Sequence, residues 1–341
     1  MYFYKNNKEI EKIELNTNKK IDEFLKIIKK NKKLSKNIIT FGLVGPCARN
    51  QAFYINNKVK SDFDFYLVSN KFNICLEKKI KNIFYDIFKD ENNYSLHYIS
   101  PSIFKKPDLM FFEYTNSGKV LYGKKLKKTD INKISRLEVL RNIIFRETHF
   151  LKLFKLKNNK LILNENVKKE EILYGYSKII FSIGEVCLIL DKTYSADNIK
   201  RNNLIKNNKY AQKISGFIKE HEKMQEFRYK NKIELDKNYL NKSFIFLDKI
   251  YNIIFNELKI KNIRKIKTSG LRYIWNQLFF TLNYYKQTKK IKILFIEPFI
   301  KVTLLNYELI KKINNNEEID KKLYNEILIY WKIAPWFYYK I

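Results

Sequence analysis

Two aspartates, Asp62 and Asp64, stand two positions apart in the largely apolar segment Ser61–Val68. Side chains at this spacing on a β-strand point to the same face of the sheet, so the two carboxylates are expected to lie side by side. Carboxylate oxygens suit Mg²⁺, which usually shares its coordination sphere with the phosphates of a substrate. The pair therefore predicts a Mg²⁺ site with Asp62 and Asp64 as metal ligands and a phosphate compound as substrate.

A glycine turn precedes this pair. The short β-branched segment Asn37–Val44 runs directly into Gly45 and Pro46, which indicates a strand that enters a turn. Because Gly45 has no side chain, its backbone can approach a polyphosphate closely. Pro46 has no backbone N–H to donate, so the phosphate contacts are expected from the next residues. These are Cys47, Ala48 and Arg49. The alternative for Cys47 is a small buried side chain that fills space in the core.

The order of strand, glycine turn, strand with paired acids and following helix resembles the nucleotidyltransferase superfamily. That family includes DNA polymerase β, poly(A) polymerases and aminoglycoside nucleotidyltransferases. Within it, the sequence pattern is most similar to that of the streptomycin-type adenylyltransferases. The resemblance implies that a nucleoside monophosphate is moved from an NTP, expected to be ATP, to a hydroxyl or amine acceptor with release of pyrophosphate. In such a site Asp62 and Asp64 hold Mg²⁺ and the Gly45 turn cradles the β- and γ-phosphates.

Two features depart from the family pattern. Pro46 stands where the family has serine or glycine, and the strand expected to carry a third carboxylate, Tyr94–Ser100, contains no acid. Ser95 or His97 occupies the corresponding place. The segment Pro107–Tyr114 resembles the part of streptomycin-type enzymes that ends in a general base, which implies that Glu113 takes the proton of the acceptor.

Four acidic or basic residues have an alternative interpretation. Glu113 and Asp108 are both open to being surface acids, since their odd spacing prevents one strand from aiming both at a metal. In the later part, Tyr174–Lys178 resembles a helix that places a lysine, here Lys178, against the nucleotide phosphates, although a solvated lysine fits equally well. Glu147 is either an alternative base or one partner of a surface salt bridge.

The elements that must position these residues divide the chain into two parts. Residues 1–128 alternate helical and strand patterns, whereas residues 129–341 favour helices and form the expected acceptor side of the cleft. The predicted fold is α+β: a nucleotidyltransferase-like mixed sheet with flanking helices, followed by a mainly α-helical domain. The predicted strands are Asn37–Val44, Ser61–Val68, Tyr94–Ser100, Leu109–Tyr114 and Val120–Tyr122. The predicted helices are Lys19–Leu34, Asn73–Lys89, Ile134–Leu153, Lys169–Leu190, Tyr239–Leu258, Leu271–Tyr285, Phe299–Ile313 and Lys321–Ile333.

The composition narrows the class of protein. The chain has 341 residues, 45% of them hydrophobic, which argues against a disordered chain. Three scattered cysteines argue against a disulfide scaffold or a thiolate metal cluster and fit a reducing compartment. No apolar run approaches the length of a membrane span and no signal peptide is evident. A cytoplasmic protein without a membrane span is therefore expected.

The net charge of +33 makes RNA a further candidate partner. The excess is almost entirely lysine, however, and only eight residues are arginine, so a surface of solvated lysines is the favoured interpretation of the charge. Two functions thus stay open from the residues and the family resemblance together. One is a Mg²⁺-dependent nucleotidyltransferase with an unidentified acceptor, and the other is a catalytically inactive nucleotide- or RNA-binding protein on the same fold.

Overall fold

In a computed structural model, the chain forms two compact units. The first unit consists of Met1–Ser135 together with two later segments, Ser195–Asn202 and Glu226–Lys232, and the second unit contains the remainder. The residues that the structure describes are 8–49, 51, 54–55, 58–59, 61–71, 73–88, 94–99, 104, 107–230, 238–259, 288 and 298–339.

A mixed four-stranded sheet organises the first unit. The described strands of the first unit are β1 (Ile38–Val44), β2 (Tyr54–Ile55), β3 (Lys58–Val59), β4 (Phe63–Ser69), β5 (Tyr94–Ile99) and β6 (Lys119–Gly123). The strand order in the sheet is β5-β4-β1-β6, in which β1 is antiparallel to β4 and β6, whereas β4 is parallel to β5. Strands β2 and β3 pair antiparallel with each other, apart from the four-stranded sheet. The predicted mixed sheet is confirmed.

Helices cover both faces of this sheet, which explains why its central strands are apolar almost throughout. The helices of the first 135 residues are α1 (Lys8–Lys30), α2 (Lys32–Ser35), α3 (Gly45–Ala48), α4 (Ile74–Phe88) and α5 (Leu109–Ser117). One face packs against α1 and α4 through a cluster of rings that includes Phe24, Phe65 and Phe84. On the other face, Tyr66 stacks on Tyr114 of α5 with a centroid separation of 4.9 Å.

The prediction of a strand over Leu109–Tyr114 is wrong, because this segment is the helix α5. Asp108 caps the helix: its Oδ1 accepts a hydrogen bond from the backbone N–H of Phe111 at 2.8 Å. A short apolar run fits a buried helix as well as a strand, and periodicity does not separate the two. The Pro107-Asp108 pair was the available signal, since aspartate is a preferred N-cap residue.

The second unit is mainly helical, as predicted. Its helices α6, α7, α9, α11, α12 and α13 span Glu138–Leu151, Lys169–Leu190, Lys209–Gln212, Tyr239–Glu257, Pro298–Asn314 and Lys321–Tyr339. Two further helices, α8 (Asn198–Lys206) and α10 (Phe217–Lys230), contribute residues to both units. The predicted helix Leu271–Tyr285 lies outside the described residues.

Five described elements of this part were not predicted from the sequence, namely strands β7 (Phe154–Lys157) and β8 (Lys160–Leu163) and helices α8, α9 and α10. Strands β7 and β8 form a hairpin whose turn residues, Asn158 and Asn159, both adopt positive φ. Asparagine tolerates this conformation, so the Asn-Asn pair was a local signal for the turn. Helices α8, α9 and α10 all lie between the predicted helices Lys169–Leu190 and Tyr239–Leu258, in a segment for which no element was predicted.

Helix α7 is the one helix of the described part of the chain that is long and apolar enough to cross a membrane. Of its most apolar window, 78% is buried inside the protein. A core helix of a folded domain has this same length and composition, so the burial accounts for its apolar character.

Candidate functional site

The glycine turn and the aspartate pair lie next to each other at one end of the sheet. Strands β1 and β4 are in register so that Val44 pairs with Asp64, and Gly45 follows directly with φ of +80°. A Cβ atom on Gly45 would lie 3.2 Å from Oδ2 of Asp64. Both the backbone conformation and the available space therefore favour glycine at this position.

Both aspartates lie at the end of the sheet that carries the Gly45 turn. The side chain of Asp64 is 32% exposed, and Asp62 is exposed. The thiol of Cys47 lies near both aspartates. Burial raises the pKa of this thiol, and the negative charges of Asp64 and Asp62 raise it further. The arrangement brings two carboxylates and the turn into one solvent-accessible region. It also makes Cys47 an inert, protonated thiol.

Ser95 and His97 take the place where the family pattern has a third acid. The parallel register pairs Asp64 with Ser95, whose Oγ donates a hydrogen bond to Asp64 Oδ1 at 2.8 Å. The Nε2 atom of His97 lies 3.1 Å from Ser95 Oγ and 3.7 Å from Asp64 Oδ1. The hydroxyl therefore holds one oxygen of Asp64, while Oδ2 of the same carboxylate faces Gly45.

The residues of this region suit a metal ion that is bound by the protein and a substrate together. Among the described residues, no group of three or more His, Cys, Asp or Glu side chains is arranged to hold a metal ion. Asp62 and Asp64 offer two carboxylates, and Mg²⁺ commonly binds one or two carboxylates together with water and substrate phosphates. The residues present thus fit a Mg²⁺–phosphate complex rather than a cage made by protein alone.

Glu113 lies on α5, where its carboxylate contacts two arginines. Arg49 Nη1 donates to Glu113 Oε2 at 3.0 Å and to Ser117 Oγ at 2.8 Å, while Arg201 Nη1 lies 3.8 Å from Glu113 Oε1. The side chains of both arginines are only 9% exposed, and that of Glu113 is 18% exposed. The role of Glu113 as a base stays a prediction, but its carboxylate is engaged in ion pairs. Asp108 is occupied as the cap of α5.

The short helix α3 carries the other residues expected to contact phosphate. Cys47 is 5% exposed, and Ala48 packs beside the aromatic core of the first unit. The backbone N–H groups of Arg49 and Gln51 both donate to the carbonyl of Pro46 and so close the turn. Only the side chain of Arg49 therefore extends from this helix towards the acidic group on α5.

Lys178 and Glu147 belong to the second unit. Lys178 lies on α7, half-buried, with its Nζ 4.9 Å from the ring centroid of Tyr174. Glu147 is not the surface salt-bridge partner that the sequence favours, because its side chain is completely buried and accepts hydrogen bonds from Tyr251 and Asn306. Its enclosure on all sides also argues against an alternative base that faces a cleft.

Two late segments of the chain bring residues to the first unit that the sequence did not indicate. Arg201 comes from the first of them, and Arg228 from the second donates through Nη2 to the carbonyl of Gln51 at 3.1 Å. The side-chain oxygen of Gln51 accepts from the N–H of Asn198 at 3.2 Å. The scarcity of arginine in a lysine-rich chain was the one available signal for these positions.

Comparison of the chain with protein-family models, with curated proteins and with solved structures found no match in any of the three. The function is therefore argued from the chemistry of the turn, the aspartate pair and the groups around them.

Proposed function

We propose that the first unit binds a nucleoside triphosphate, expected to be ATP, at the Gly45 turn and transfers its nucleoside monophosphate to a hydroxyl or amine acceptor. The observation that carries the proposal is the adjacency of Asp64 Oδ2 to Gly45, 3.2 Å from the position of a Cβ. Asp62 lies two residues earlier on the same strand edge. This combination suits a phosphate chain that shares a divalent cation with two carboxylates.

The residues of this chain have distinct parts in such a reaction. Asp62 and Asp64 would hold Mg²⁺, which supplies charge neutralisation at the phosphates when it is bound. Ser95 keeps Asp64 in one orientation through its hydrogen bond to Oδ1. The absence of a side chain at Gly45 lets the phosphates approach the backbone. Catalysis of this kind depends chiefly on positioning and electrostatics.

The bond changes are those of a phosphoryl substitution. The acceptor oxygen or nitrogen forms a bond to the α-phosphorus while the bond from that phosphorus to the bridging oxygen of the β-phosphate breaks. Pyrophosphate leaves, and the acceptor proton passes to a base, for which Glu113 is the prediction from the sequence. The mixed sheet with flanking helices supports the nucleotidyltransferase-like interpretation of this fold.

A second candidate is a catalytically inactive protein that retains a nucleotide or RNA. Two observations favour it: Pro46 donates no backbone N–H to a phosphate, and β5 offers Ser95 and His97 beside Asp64 where the family pattern has an acid. In that case the same site binds a nucleotide, but no label reaches an acceptor.

The test is incubation of the protein with each α-labelled NTP, Mg²⁺ and a cell extract as the source of acceptor. We expect label transfer by the wild type and its loss in the double variant Asp62→Asn/Asp64→Asn. Asp86→Asn is the matched control, because Asp86 is an exposed acid on α4 of the same unit. Transfer that survives the double substitution would contradict the proposed metal site. Nucleotide binding without any transfer would favour the inactive alternative.

A further inference from the structure

The arginines of the first unit are concentrated at one place. Of the eight arginines in the chain, the first unit contains three, Arg49, Arg201 and Arg228. Arg49 and Arg201 both contact Glu113, and Arg228 contacts the backbone of Gln51, two residues after Arg49. Arginine is the side chain best suited to bind phosphate oxygens in pairs. In a chain whose basic residues are mostly lysine, this grouping points to a specific anion.

A single carboxylate lies between two of these guanidinium groups. Each oxygen of Glu113 faces a different arginine: Oε2 accepts from Arg49 at 3.0 Å, and Oε1 is 3.8 Å from Arg201. Both arginine side chains are 91% buried, because 9% of each is exposed. Two buried guanidinium groups thus lie next to the same carboxylate. Asp197 adds a second acid near Arg49, since the positive charge of Arg49 is among the influences on its pKa, after burial and hydrogen bonds.

Arg49 also has an unused donor. Its Nε is buried and has no hydrogen-bond partner among the described residues, whereas its Nη1 makes two hydrogen bonds. A buried donor without an acceptor is unfavourable, so an arriving anion that offers several oxygens gains a contact which Glu113 does not satisfy. A phosphate group presents three such oxygens, and a carboxylate only two.

The position of the arginines matches a phosphate chain that begins at the metal site. Gly45 begins α3, and Arg49 directly follows its last residue, Ala48. One turn of helix separates them, a rise of about 6 Å. Asp64 lies beside Gly45, and Arg49 lies four residues further along the chain.

We propose that Arg49 and Arg201 form a polyphosphate subsite, which the Glu113 carboxylate occupies when no phosphate is bound. The assignment of the β- and γ-phosphates of a nucleotide to this subsite rests on the proposed function, whereas anion binding by the two arginines does not. Arg228 holds the backbone after the turn in place and is a positioning residue. Glu113 is then a competitor of the phosphates.

The test uses inorganic tripolyphosphate with the full-length protein in a chelator, so that no divalent metal takes part. Titration calorimetry at physiological ionic strength measures the affinity. We expect Arg49→Gln and Arg201→Gln each to weaken binding by about tenfold, the usual effect of one charged hydrogen bond. Glu113→Gln is expected to strengthen binding several-fold, because it removes the competing charge and keeps the shape of the side chain.

Arg141→Gln is the matched control for loss of one positive charge. Arg141 forms a 3.0 Å ion pair with Glu138 in the second unit, and its side chain is 14% exposed. Equal weakening by Arg141→Gln and Arg49→Gln would show that tripolyphosphate senses only the net charge, and would overturn the proposal. So would unchanged or weaker binding by Glu113→Gln. If an arginine variant fails to fold by circular dichroism, Glu113→Gln and the control decide between these results.

The outcomes separate this inference from the proposed function. Arginine-dependent binding of tripolyphosphate without any nucleotidyl transfer would support the subsite and contradict the enzyme. Transfer that needs Asp62 and Asp64, with no effect of Arg49→Gln or Arg201→Gln on tripolyphosphate, would support the enzyme and overturn the subsite.

Discussion

In the second unit, the free energy of unfolding is expected to depend on pH in the neutral range mainly through Glu147. Replacement of Glu147 by glutamine is expected to remove most of this pH dependence. The side chain of Glu147 on α6 is completely buried. Its Oε2 accepts hydrogen bonds from Tyr251 and from Asn306, the latter at 3.0 Å, whereas its Oε1 has no partner among the described residues. Asn306 in turn accepts a hydrogen bond from Trp331 at 2.9 Å.

Burial raises the pKa of Glu147 from 4.5 to about 8, against the opposing effect of the hydrogen bonds from Tyr251 and Asn306. The folded state therefore holds a proton that the unfolded chain releases above pH 4.5. The stability that this proton contributes is complete below pH 4.5 and is lost as the pH rises towards 8. The slope is at most about 1.4 kcal/mol per pH unit, so the loss over the whole window is roughly 4–5 kcal/mol.

Glutamine reproduces the shape and the neutrality of the protonated acid, and its carbonyl oxygen still accepts from Tyr251 and Asn306. We therefore expect Glu147→Gln to match the wild type near pH 5 and to exceed it by several kcal/mol near pH 8. Urea denaturation followed by tryptophan fluorescence measures this, because Trp331 lies in the second unit and is buried beside the network.

Glu170→Gln is the control, since Glu170 is an exposed acid in the first turn of α7. It is expected to change the free energy of unfolding by no more than about 0.5 kcal/mol at either pH. Equal slopes of stability against pH in the wild type and Glu147→Gln would refute the reasoning, because they would mean that Glu147 takes up no proton on folding.

Three further predictions concern the first unit and the thiols. Thiol titration of the native protein at pH 8 should modify the exposed Cys75 quickly and the two buried cysteines only after denaturation; rapid reaction of more than one thiol would contradict this. Gly45→Ala and Gly216→Ala should each destabilise the protein by about 1–2 kcal/mol, because both glycines have φ near +80°. Only Gly45→Ala should weaken binding of Mn²⁺ with a non-hydrolysable NTP, since a Cβ at Gly216 meets no atom within 4 Å. Asp108→Ala should lower the free energy of unfolding by about 1 kcal/mol through loss of the α5 cap, whereas Asp108→Asn should keep most of it, and equal losses in denaturation experiments would argue against capping.

The local sequence was sufficient for the parts of the site that depend on near neighbours. The residues around Asp64 predicted the strand β4 that carries it, and glycine is the residue best able to adopt the φ of +80° at position 45. The apolar run before Gly45 predicted β1, and the periodicity of the later helices predicted a mainly helical second unit. Each of these features depends on residues only a few positions apart.

Contacts between residues that are far apart in the sequence determine the other features of the site and of the core. Glu113 meets Arg49 across 64 positions and Arg201 across a still longer separation, and neither contact leaves a local pattern in the chain. The parallel register of two strands places Ser95 beside Asp64, and packing of several helices encloses Glu147. Ion-pair partners, strand register and burial depend on where the backbone brings remote segments, so they emerge only when the whole chain has folded.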